Sequence, residues 1–308
     1  MKKIFIAGHK GMVGSSILRN ISKKNKIFLK DKKKLDLLNF NKTLKYFKQN
    51  NFDEVYLCAA KVGGIYANKI YPAEFIYQNL QIQNNCILAA YKTKVKKLLF
   101  LGSSCIYPKK VMIPIKESYL MTGQLEKTNE PYAIAKIAGI KMCESFNKQY
   151  NTDFRSVMPT NLYGPNDNYD ELNSHVLASL IRKITKAKKY KENKVSIWGN
   201  GKPKREFLHT DDFAKACIKI MSISKKKYLK ICGSDSQFIN IGYGKEISVI
   251  ELAKLISKIV GYKGKFYYDK KKPNGTFRKL IDSSKLKTLK WSPKISLESG
   301  LKEIIFSK

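Results

Sequence analysis

Short apolar runs alternate with longer helical stretches through the first half of the chain. Apolar runs of this length, bounded by glycine or polar residues, are typical of buried β-strands. The predicted strands cover residues 3–7, 26–29, 54–60, 97–101 and 154–158, and the predicted helices cover residues 12–22, 41–49, 73–92 and a long stretch from about residue 131. This alternation predicts an α/β fold with a doubly wound parallel sheet of the Rossmann type.

The pattern loosens after residues 163–165, where a polar, loop-like segment begins. It is followed by a predicted helix and a short strand, and a later helix and strand are expected to return to the first sheet. The predicted elements beyond residue 165 are helices at 175–188, from about 211, and at 248–260, strands at 194–197, 238–241 and 265–268, and a polar tail. We therefore expect a larger Rossmann domain, residues 1–165 with returning segments at about 206–245. A smaller, interleaved α/β substrate domain would cover about 166–205 and 246–308.

The composition indicates a globular protein without a membrane anchor. Hydrophobic residues make up 43% of the chain, and no apolar run is long enough to span a bilayer. The apolar run after Lys2 and Lys3 stops at Gly8 and is too short for a secretory signal, so we expect a first β-strand in a cytoplasmic protein. Six cysteines lack any Cys-x-x-Cys pair and three histidines lie far apart, so neither a metal site nor a disulfide framework is expected. Most of the cysteines are expected to be small buried apolar residues.

The net charge of +36 raises the question of nucleic-acid binding. Only five of the 60 basic residues are arginine, whereas base recognition favours arginine strongly. The lysines are also spread along the whole chain rather than clustered. We therefore expect no specific nucleic-acid partner. The charge is interpreted mainly as the result of a lysine-biased proteome, with attraction of small anionic substrates as a side benefit.

A glycine-rich turn follows the first predicted strand and opens the first helix, with Gly8, Gly11 and Gly14 at regular spacing. Such glycines allow a tight turn and let a pyrophosphate approach the helix N-terminus, where free N–H groups favour anions. In this position the motif predicts dinucleotide binding. At the end of the second strand, Asp31 favours NAD, but the nearby lysines, Lys10, Lys30 and Lys32, favour the extra phosphate of NADP.

Tyr132 and Lys136 lie four residues apart just after Pro131, a favourable first residue of a helix. Residues at this spacing share one helix face, so the Lys136 ammonium is expected to lower the pKa of Tyr132 by stabilising its phenolate. Ser103 ends an earlier apolar strand, at the sheet edge where active sites of this architecture lie. Together Ser103, Tyr132 and Lys136 predict a site for carbonyl reduction.

Longer segments resemble a known family over residues 4 to about 301. The motifs above look like those of the extended short-chain dehydrogenase/reductases. More specific blocks are similar to the GDP-L-fucose synthases, and these blocks are residues 59–65, 71–73, 75–79, 101–108, 130–136 and 158–165.

The resemblance implies a two-part reaction with NADPH. GDP-4-keto-6-deoxy-D-mannose would be epimerised at C3 and C5 and then reduced at C4 to GDP-L-fucose. Cys105 matches the family's epimerisation base and His175 its acid. Without the resemblance, Cys105 would more often be an inert thiol and His175 an ordinary residue at a helix start. The reductive residues would be Ser103, Tyr132 and Lys136.

The resemblance also implies residues that bind the ligands, and a homodimer built on the helices after Ala73 and Pro131. The expected residues of the NADP site are Gly8, His9, Lys10, Gly11, Met12, Val13, Gly14, Lys32, Asp36, Leu37, Leu101, Gly102, Ser103, Ser104, Lys136, Pro159, Thr160, Asn161, Leu162 and His175. The expected residues of the GDP-sugar site are Lys183, Trp198, Arg205 and Asn274. Asn274 stands where the family often has Asp, and Lys183 stands where Arg is also seen and lacks its forked geometry.

Two other functions remain open at this point. A sibling reaction on another GDP-keto-deoxy-sugar, such as formation of GDP-L-colitose, would use the same residues. A lysine-rich nucleic-acid-binding protein on a degenerate Rossmann scaffold is the alternative from a different class. The intact set of Ser103, Tyr132 and Lys136 and the shortage of arginine argue against the second alternative.

Overall fold

A computed structural model describes residues 1–171, 173–234, 236–272 and 276–306. The strands are β1 (Lys3–Ala7), β2 (Lys26–Phe28), β3 (Glu54–Leu57), β4 (Lys97–Leu101), β5 (Phe154–Pro159), β6 (Asn161–Tyr163), β7 (Lys194–Trp198), β8 (Lys204–His209), β9 (Phe238–Ile241), β10 (Glu246–Ser248) and β11 (Lys265–Asp269). The helices are α1 (Met12–Asn20), α2 (Phe40–Asn50), α3 (Ile65–Ile70), α4 (Pro72–Lys92), α5 (Glu130–Tyr150), α6 (Val176–Lys189), α7 (Thr210–Ser222), α8 (Lys225–Cys232), α9 (Val249–Val260), α10 (Ser284–Lys287) and α11 (Leu297–Phe306).

The first sheet has six strands in the order β2-β1-β3-β4-β5-β9, and every neighbouring pair is parallel. The strand order reverses between β1 and β3, because the chain builds outwards from β1 in both directions. In sheets of this kind the crevice at the reversal point, beyond the carboxyl ends of the strands, is where ligands bind. The predicted Rossmann-type fold and the return of residues 238–241 to this sheet are confirmed.

Both faces of the sheet are buried, which explains why its strands are nearly continuous apolar runs. Successive residues of a strand point to opposite faces. Phe5 of β1 therefore packs under α2, α4 and α5, whereas Ile6 packs on the other side. That second layer contains α1, α7 and α8, with Phe213 at its centre.

The smaller α/β part contains two further sheets and a third apolar core. One sheet has the order β10-β8-β6, and the other pairs β11 with β7 in parallel. Ile184 of α6, Ile256 of α9 and Leu301 of α11 are buried together in this core. Tyr163 and Phe207, from the edges of the predicted Rossmann segments, also belong to it. The exact division into two domains stays a prediction.

Several predicted element boundaries were wrong. The strand predicted for residues 54–60 ends at Leu57, because the chain turns away at the crevice. The predicted polar tail contains a helix, α11, whose apolar side is buried. The short elements α3, α8, β6, β8 and β10 were not predicted, since segments of three to eight residues carry little periodic signal.

All six cysteines are free and five of them are buried, so the expected burial is confirmed. In the described ranges, no helix is both long and apolar enough to cross a membrane.

Candidate active site

A cleft of about 850 Å³ lies beyond the carboxyl ends of β1, β3, β4 and β5 and extends to the smaller core. Most of the residues expected from the sequence line this one cleft. They are Gly8, Gly11, Met12, Val13, Gly14, Lys32, Asp36, Leu37, Leu101, Gly102, Ser103, Ser104, Cys105, Tyr132, Lys136, Pro159, Thr160, Asn161, Leu162, His175, Lys183, Trp198 and Arg205. His9 and Lys10 are not among the lining residues, and Asn274 lies outside the described residues.

The glycine-rich turn leaves no room for a side chain at Gly8 or Gly14. Gly8 has φ +81°, and a Cβ atom there would lie 2.7 Å from the backbone nitrogen of Ala59. A Cβ atom on Gly14 would lie 2.2 Å from the carbonyl oxygen of Gly8. Helix α1 begins here with Gly11 as its N-cap, and no side chain caps its N–H groups. The turn therefore presents bare backbone donors at a helix N-terminus, a cradle that fits a pyrophosphate.

Asp31 contacts the two expected residues that do not line the cleft. Its carboxylate lies 3.1 Å from Nζ of Lys10 and 3.2 Å from Nε2 of His9. The hydrogen bond from Lys10 lowers the pKa of Asp31. Lys30 and Lys32 line the cleft, whereas Asp31 does not. The charge that this edge offers to a ligand is therefore positive.

The three residues predicted for carbonyl reduction meet in the middle of the cleft. Ser103 follows β4, and Tyr132 and Lys136 lie on the first turns of α5. The Lys136 ammonium donates a hydrogen bond of 2.8 Å to the Leu101 carbonyl oxygen and lies 5.7 Å from the centroid of the Tyr132 ring. Thus the helical spacing of Tyr132 and Lys136 does bring them together, while the end of β4 holds the lysine in place.

The expected lowering of the Tyr132 pKa was wrong. Burial, followed by the charge of the nearby Cys105 thiolate, raises the pKa of Tyr132 well above its usual value. Burial also lowers the pKa of Lys136 to about 8, so that the ammonium is still the major form at neutral pH but is lost at mildly alkaline pH. The reason is tertiary, because the α5 face that carries both groups is enclosed by the sheet. Burial opposes the charged form of each group.

Cys105 lies in a single 3-10 turn after β4, Ser104–Ile106, and is only 6% exposed. The Ser103 hydroxyl accepts a hydrogen bond of 3.3 Å from the Cys105 backbone nitrogen, which fixes the turn. Burial raises the pKa of the Cys105 thiol. The Lys279 ammonium opposes that rise most, ahead of the hydrogen bond with Ser103.

Lys279 was missed by sequence reasoning. It lines the cleft beside Cys105, although the two residues lie far apart in the chain. Two backbone hydrogen bonds with Ile115 hold the segment that contains Lys279. The Ile115 N–H donates to the Leu280 carbonyl oxygen, and the Ile115 carbonyl oxygen accepts from the Asp282 N–H, both at 2.8 Å. One lysine out of 55 carries no sequence signal of this kind, because the contact depends on a parallel bridge between Ile115 and Ile281.

His175 is the N-cap residue of α6 and lines the same cleft as the residues that follow β4. His175 is exposed to solvent in the cleft. The protein packed around its imidazole still lowers the pKa of His175, because desolvation disfavours the charged form. The segment that precedes His175 packs on the Gly63–Gly64 loop. There the Gly64 N–H donates a hydrogen bond of 2.9 Å to the Asn173 carbonyl oxygen. A Cβ atom on Gly64 would lie 2.7 Å from the Ser174 carbonyl oxygen. The small loop therefore positions the start of α6.

The far end of the cleft carries an aromatic face and cations. Trp198, at the end of β7, is 37% exposed. Nζ of Lys183 and Nζ of Lys272 lie 5.5 and 5.4 Å from the centroid of its ring. Lys183 also donates to the Ser196 hydroxyl at 3.2 Å, and Arg205 of β8 lines the same region. A flat ring beside two or three cations fits a purine base and a diphosphate.

Comparison with known proteins places these features in a family context. Residues 4–232 match the model of the NAD dependent epimerase/dehydratase family. The chain is 51% identical over 302 residues to GDP-L-fucose synthase of Escherichia coli, covering 97% of this chain and 94% of that protein. It is likewise 51% identical over 303 residues to GDP-L-fucose synthase 1 of Arabidopsis thaliana, covering 98% and 91%.

Two further relatives bear on substrate and cofactor. GDP-L-colitose synthase of Yersinia pseudotuberculosis is 40% identical over 301 residues, covering 97% of this chain and 95% of that protein. The solved structure of a GDP-mannoheptose C4 reductase from Campylobacter jejuni with NADP bound is 38% identical. It has a TM-score of 0.87 and covers 99% of this chain and 97% of that chain.

Proposed function

Because this chain belongs to the NAD dependent epimerase/dehydratase family, and within it to the GDP-L-fucose synthases, we propose that it converts GDP-4-keto-6-deoxy-D-mannose to GDP-L-fucose. The reaction is a 3,5-epimerisation followed by reduction of the 4-keto group with NADPH. One observation carries the proposal. A single cleft contains the reductive residues Ser103, Tyr132 and Lys136 together with Cys105 and His175, which a simple ketoreductase does not need.

The cofactor fits the region around the glycine-rich turn. Gly8, Gly11 and Gly14 leave space for a pyrophosphate at the start of α1. Lys30 and Lys32 supply positive charge for the additional phosphate of NADPH, while Asp31 is held by Lys10 and His9. NADPH, when bound, supplies the hydride for C4 of the sugar. The remaining residues expected to bind NADP line the same region, and their contacts with the cofactor stay predictions.

Inversion at C3 and C5 requires proton removal on one face of the sugar ring and proton delivery on the other. The protons on these carbons are acidic because each carbon is adjacent to the 4-keto group. The Cys105 thiolate removes each proton, and the charge of Lys279 favours that thiolate against the effect of burial. His175 donates to the opposite face from across the cleft. Cys105 and His175 thus form a base and acid pair.

Reduction uses the groups at the start of α5. Ser103 and Tyr132 hold the C4 oxygen by hydrogen bonds, and Tyr132 supplies the proton as negative charge develops there. The buried Lys136, held by the Leu101 carbonyl, keeps a positive charge under the Tyr132 ring. Burial keeps the Tyr132 phenol protonated until it is needed.

The GDP group is assigned to the far end of the cleft. Trp198 offers its exposed face to the base, and Lys183 and Arg205 offer charge to the diphosphate. The substrate-binding role of Asn274 stays a prediction, as do the domain boundaries and the cytoplasmic location. A homodimer also stays a prediction. It is supported by exposed apolar residues on the two neighbouring helices after Ala73 and Pro131, Tyr77 on α4 and Ile134 on α5.

The proposal is tested with GDP-4-keto-6-deoxy-D-mannose and NADPH in deuterated water, with NMR analysis of the product. The wild-type enzyme is expected to form GDP-L-fucose labelled at C3 and C5. Cys105→Ser should lose most of the label and product while still binding NADPH. His175→Asn should release partly processed sugar, because the acid on the other ring face is missing.

Cys143→Ser is the matched control, since Cys143 is a buried thiol of the sheet core outside the cleft. Deuterium uptake that persists undiminished in both Cys105→Ser and His175→Asn would refute the assignment. The sibling reaction that forms GDP-L-colitose is less well supported, because identity to the colitose synthase is 40% against 51% for the fucose synthases.

A further inference from the structure

Cys105 also borders a second, smaller cavity of about 40 Å³ next to the main cleft. A polar cavity of this size is large enough to hold water. Its polar walls include Glu126, Asn129 and Lys279, which line the main cleft as well. Cys105 therefore lines both the main cleft and a small polar chamber that adjoins it.

The polar groups of this chamber are arranged to handle a proton. Oδ1 of Asn129 is buried and accepts no hydrogen bond from the described residues. Glu126 has a side chain that is 16% exposed and an Oε2 atom 3.2 Å from Nζ of Lys109, which is 52% exposed. One carboxylate thus borders both the chamber and bulk solvent.

Two epimerisations with one base require such a route. After the first inversion, the Cys105 sulfur carries the proton taken from the sugar, and His175 has lost its own. His175 is reached by solvent from the cleft and can recover a proton there. Cys105 is only 6% exposed, and in the proposed complex the sugar ring would lie against it in the cleft. Its proton must therefore leave on the side of the small cavity before the second inversion.

We propose that Glu126 and the small polar cavity form a proton relay that restores the Cys105 thiolate between the two epimerisation steps. The thiol gives its proton to water in the cavity, the water passes it to the Glu126 carboxylate, and Glu126 releases it to solvent. Asn129 accepts a hydrogen bond from the relay water. No bond to carbon changes and nothing is oxidised or reduced. Glu126 acts through Cys105 and does not touch the sugar. The relay rests on the proposed function.

The test separates the first exchange from the second within one binding event. Enzyme in excess over GDP-4-keto-6-deoxy-D-mannose is mixed in deuterated water with oxidised cofactor, so that no reduction occurs. Mass spectrometry then follows the singly and doubly deuterated sugar over time. In Glu126→Gln the first exchange should stay within about twofold of wild type. The second should slow by roughly tenfold or more, so that the singly labelled sugar accumulates.

Glu144→Gln is a closely matched control. Its carboxylate is 17% exposed and pairs at 2.8 Å with Lys141, which is 49% exposed, but it lies outside both cavities. The ratio of the two exchange rates should remain that of wild type. Unchanged binding of NADPH verifies that each variant is folded.

The outcomes distinguish the relay from its premise. Equal slowing of both exchanges in Glu126→Gln, or an unchanged ratio in that variant, would overturn the relay. Loss of all exchange in Cys105→Ser supports the premise that Cys105 is the base. If Cys105→Ser exchanges both positions normally, the proposed function fails instead, whatever Glu126→Gln does.

Discussion

Tyr132 lies in surroundings that strongly favour its neutral phenol, since burial raises its pKa well above the usual value. A neutral phenol is the form needed to protonate the C4 oxygen during reduction. Tyr132→Phe should therefore lower kcat for NADPH oxidation by roughly 10²–10⁴-fold. Deuterium uptake at C3 and C5 should be largely retained, because Cys105 and His175 perform that chemistry. NADPH oxidation near the wild-type rate would remove Tyr132 from its assigned role.

Lys279 is the positive charge that most opposes the effect of burial on Cys105. In Lys279→Gln the pKa of Cys105 should rise, because the thiolate loses its neighbouring cation. The fraction of thiolate at a given pH then falls, and the rising limb of the exchange rate should move to higher pH. Near neutral pH we expect a loss of roughly tenfold in deuterium uptake, partly recovered at alkaline pH.

The control for that charge change is Lys270→Gln, an exposed lysine after β11. It should leave the pH profile of exchange unaltered. A uniform loss in Lys279→Gln at every pH would instead indicate a purely structural role for Lys279 or a role in binding the substrate.

At the scale of elements, helix α11 lies in the last described segment and packs its apolar side against the third apolar core. Leu301 is fully buried there with Ile256 of α9, and Gly300 lies so near Tyr163 that a Cβ atom would be 2.4 Å from its hydroxyl. Leu301→Ala should lower the free energy of unfolding by about 2–5 kcal/mol through lost burial and a residual cavity. Urea denaturation measures the change.

Lys302→Ala, the neighbouring exposed position on α11, is the comparison. It removes only a surface pair with Glu298 and should change the free energy of unfolding by less than about 0.5 kcal/mol. Similar losses in both variants would mean that α11 contributes through its helical surface rather than through the core.

At the scale of the whole molecule, the net charge of +36 should attract the doubly charged diphosphate of the substrate over a long range. Salt screens such attraction, with a Debye length of about 10 Å at 0.1 M. We therefore expect KM for the GDP-sugar to rise severalfold between about 0.02 and 0.2 M salt, while kcat changes little. Initial rates measured with two different salts at equal ionic strength exclude an effect of one particular ion. A KM independent of salt would show that only local contacts matter.

The sequence alone determined the Rossmann-type sheet and the residues that were expected to line its crevice. Local rules suffice for these, because buried strands need continuous apolar runs and the tight turn before α1 needs glycine at Gly8 and Gly14. The placement of Tyr132 beside Lys136 also follows from helical spacing alone. Ser103 follows from its position at the end of a predicted strand. Cys105 and His175 depended additionally on the resemblance to a family, since single residues carry no pattern.

Only the tertiary structure decided the electrostatics around those residues. Burial reversed the expected direction of the Tyr132 pKa, because α5 is pressed against the sheet. The bridge between Ile115 and Ile281 brought Lys279 to Cys105, and the small cavity brought in Glu126. Lys279 and Glu126 are brought near Cys105 by long-range packing. Because these segments are remote in the chain, no regular spacing in the sequence predicts their contact. Spacing along the chain predicts neighbours on one element, whereas desolvation and charge depend on everything that surrounds a group.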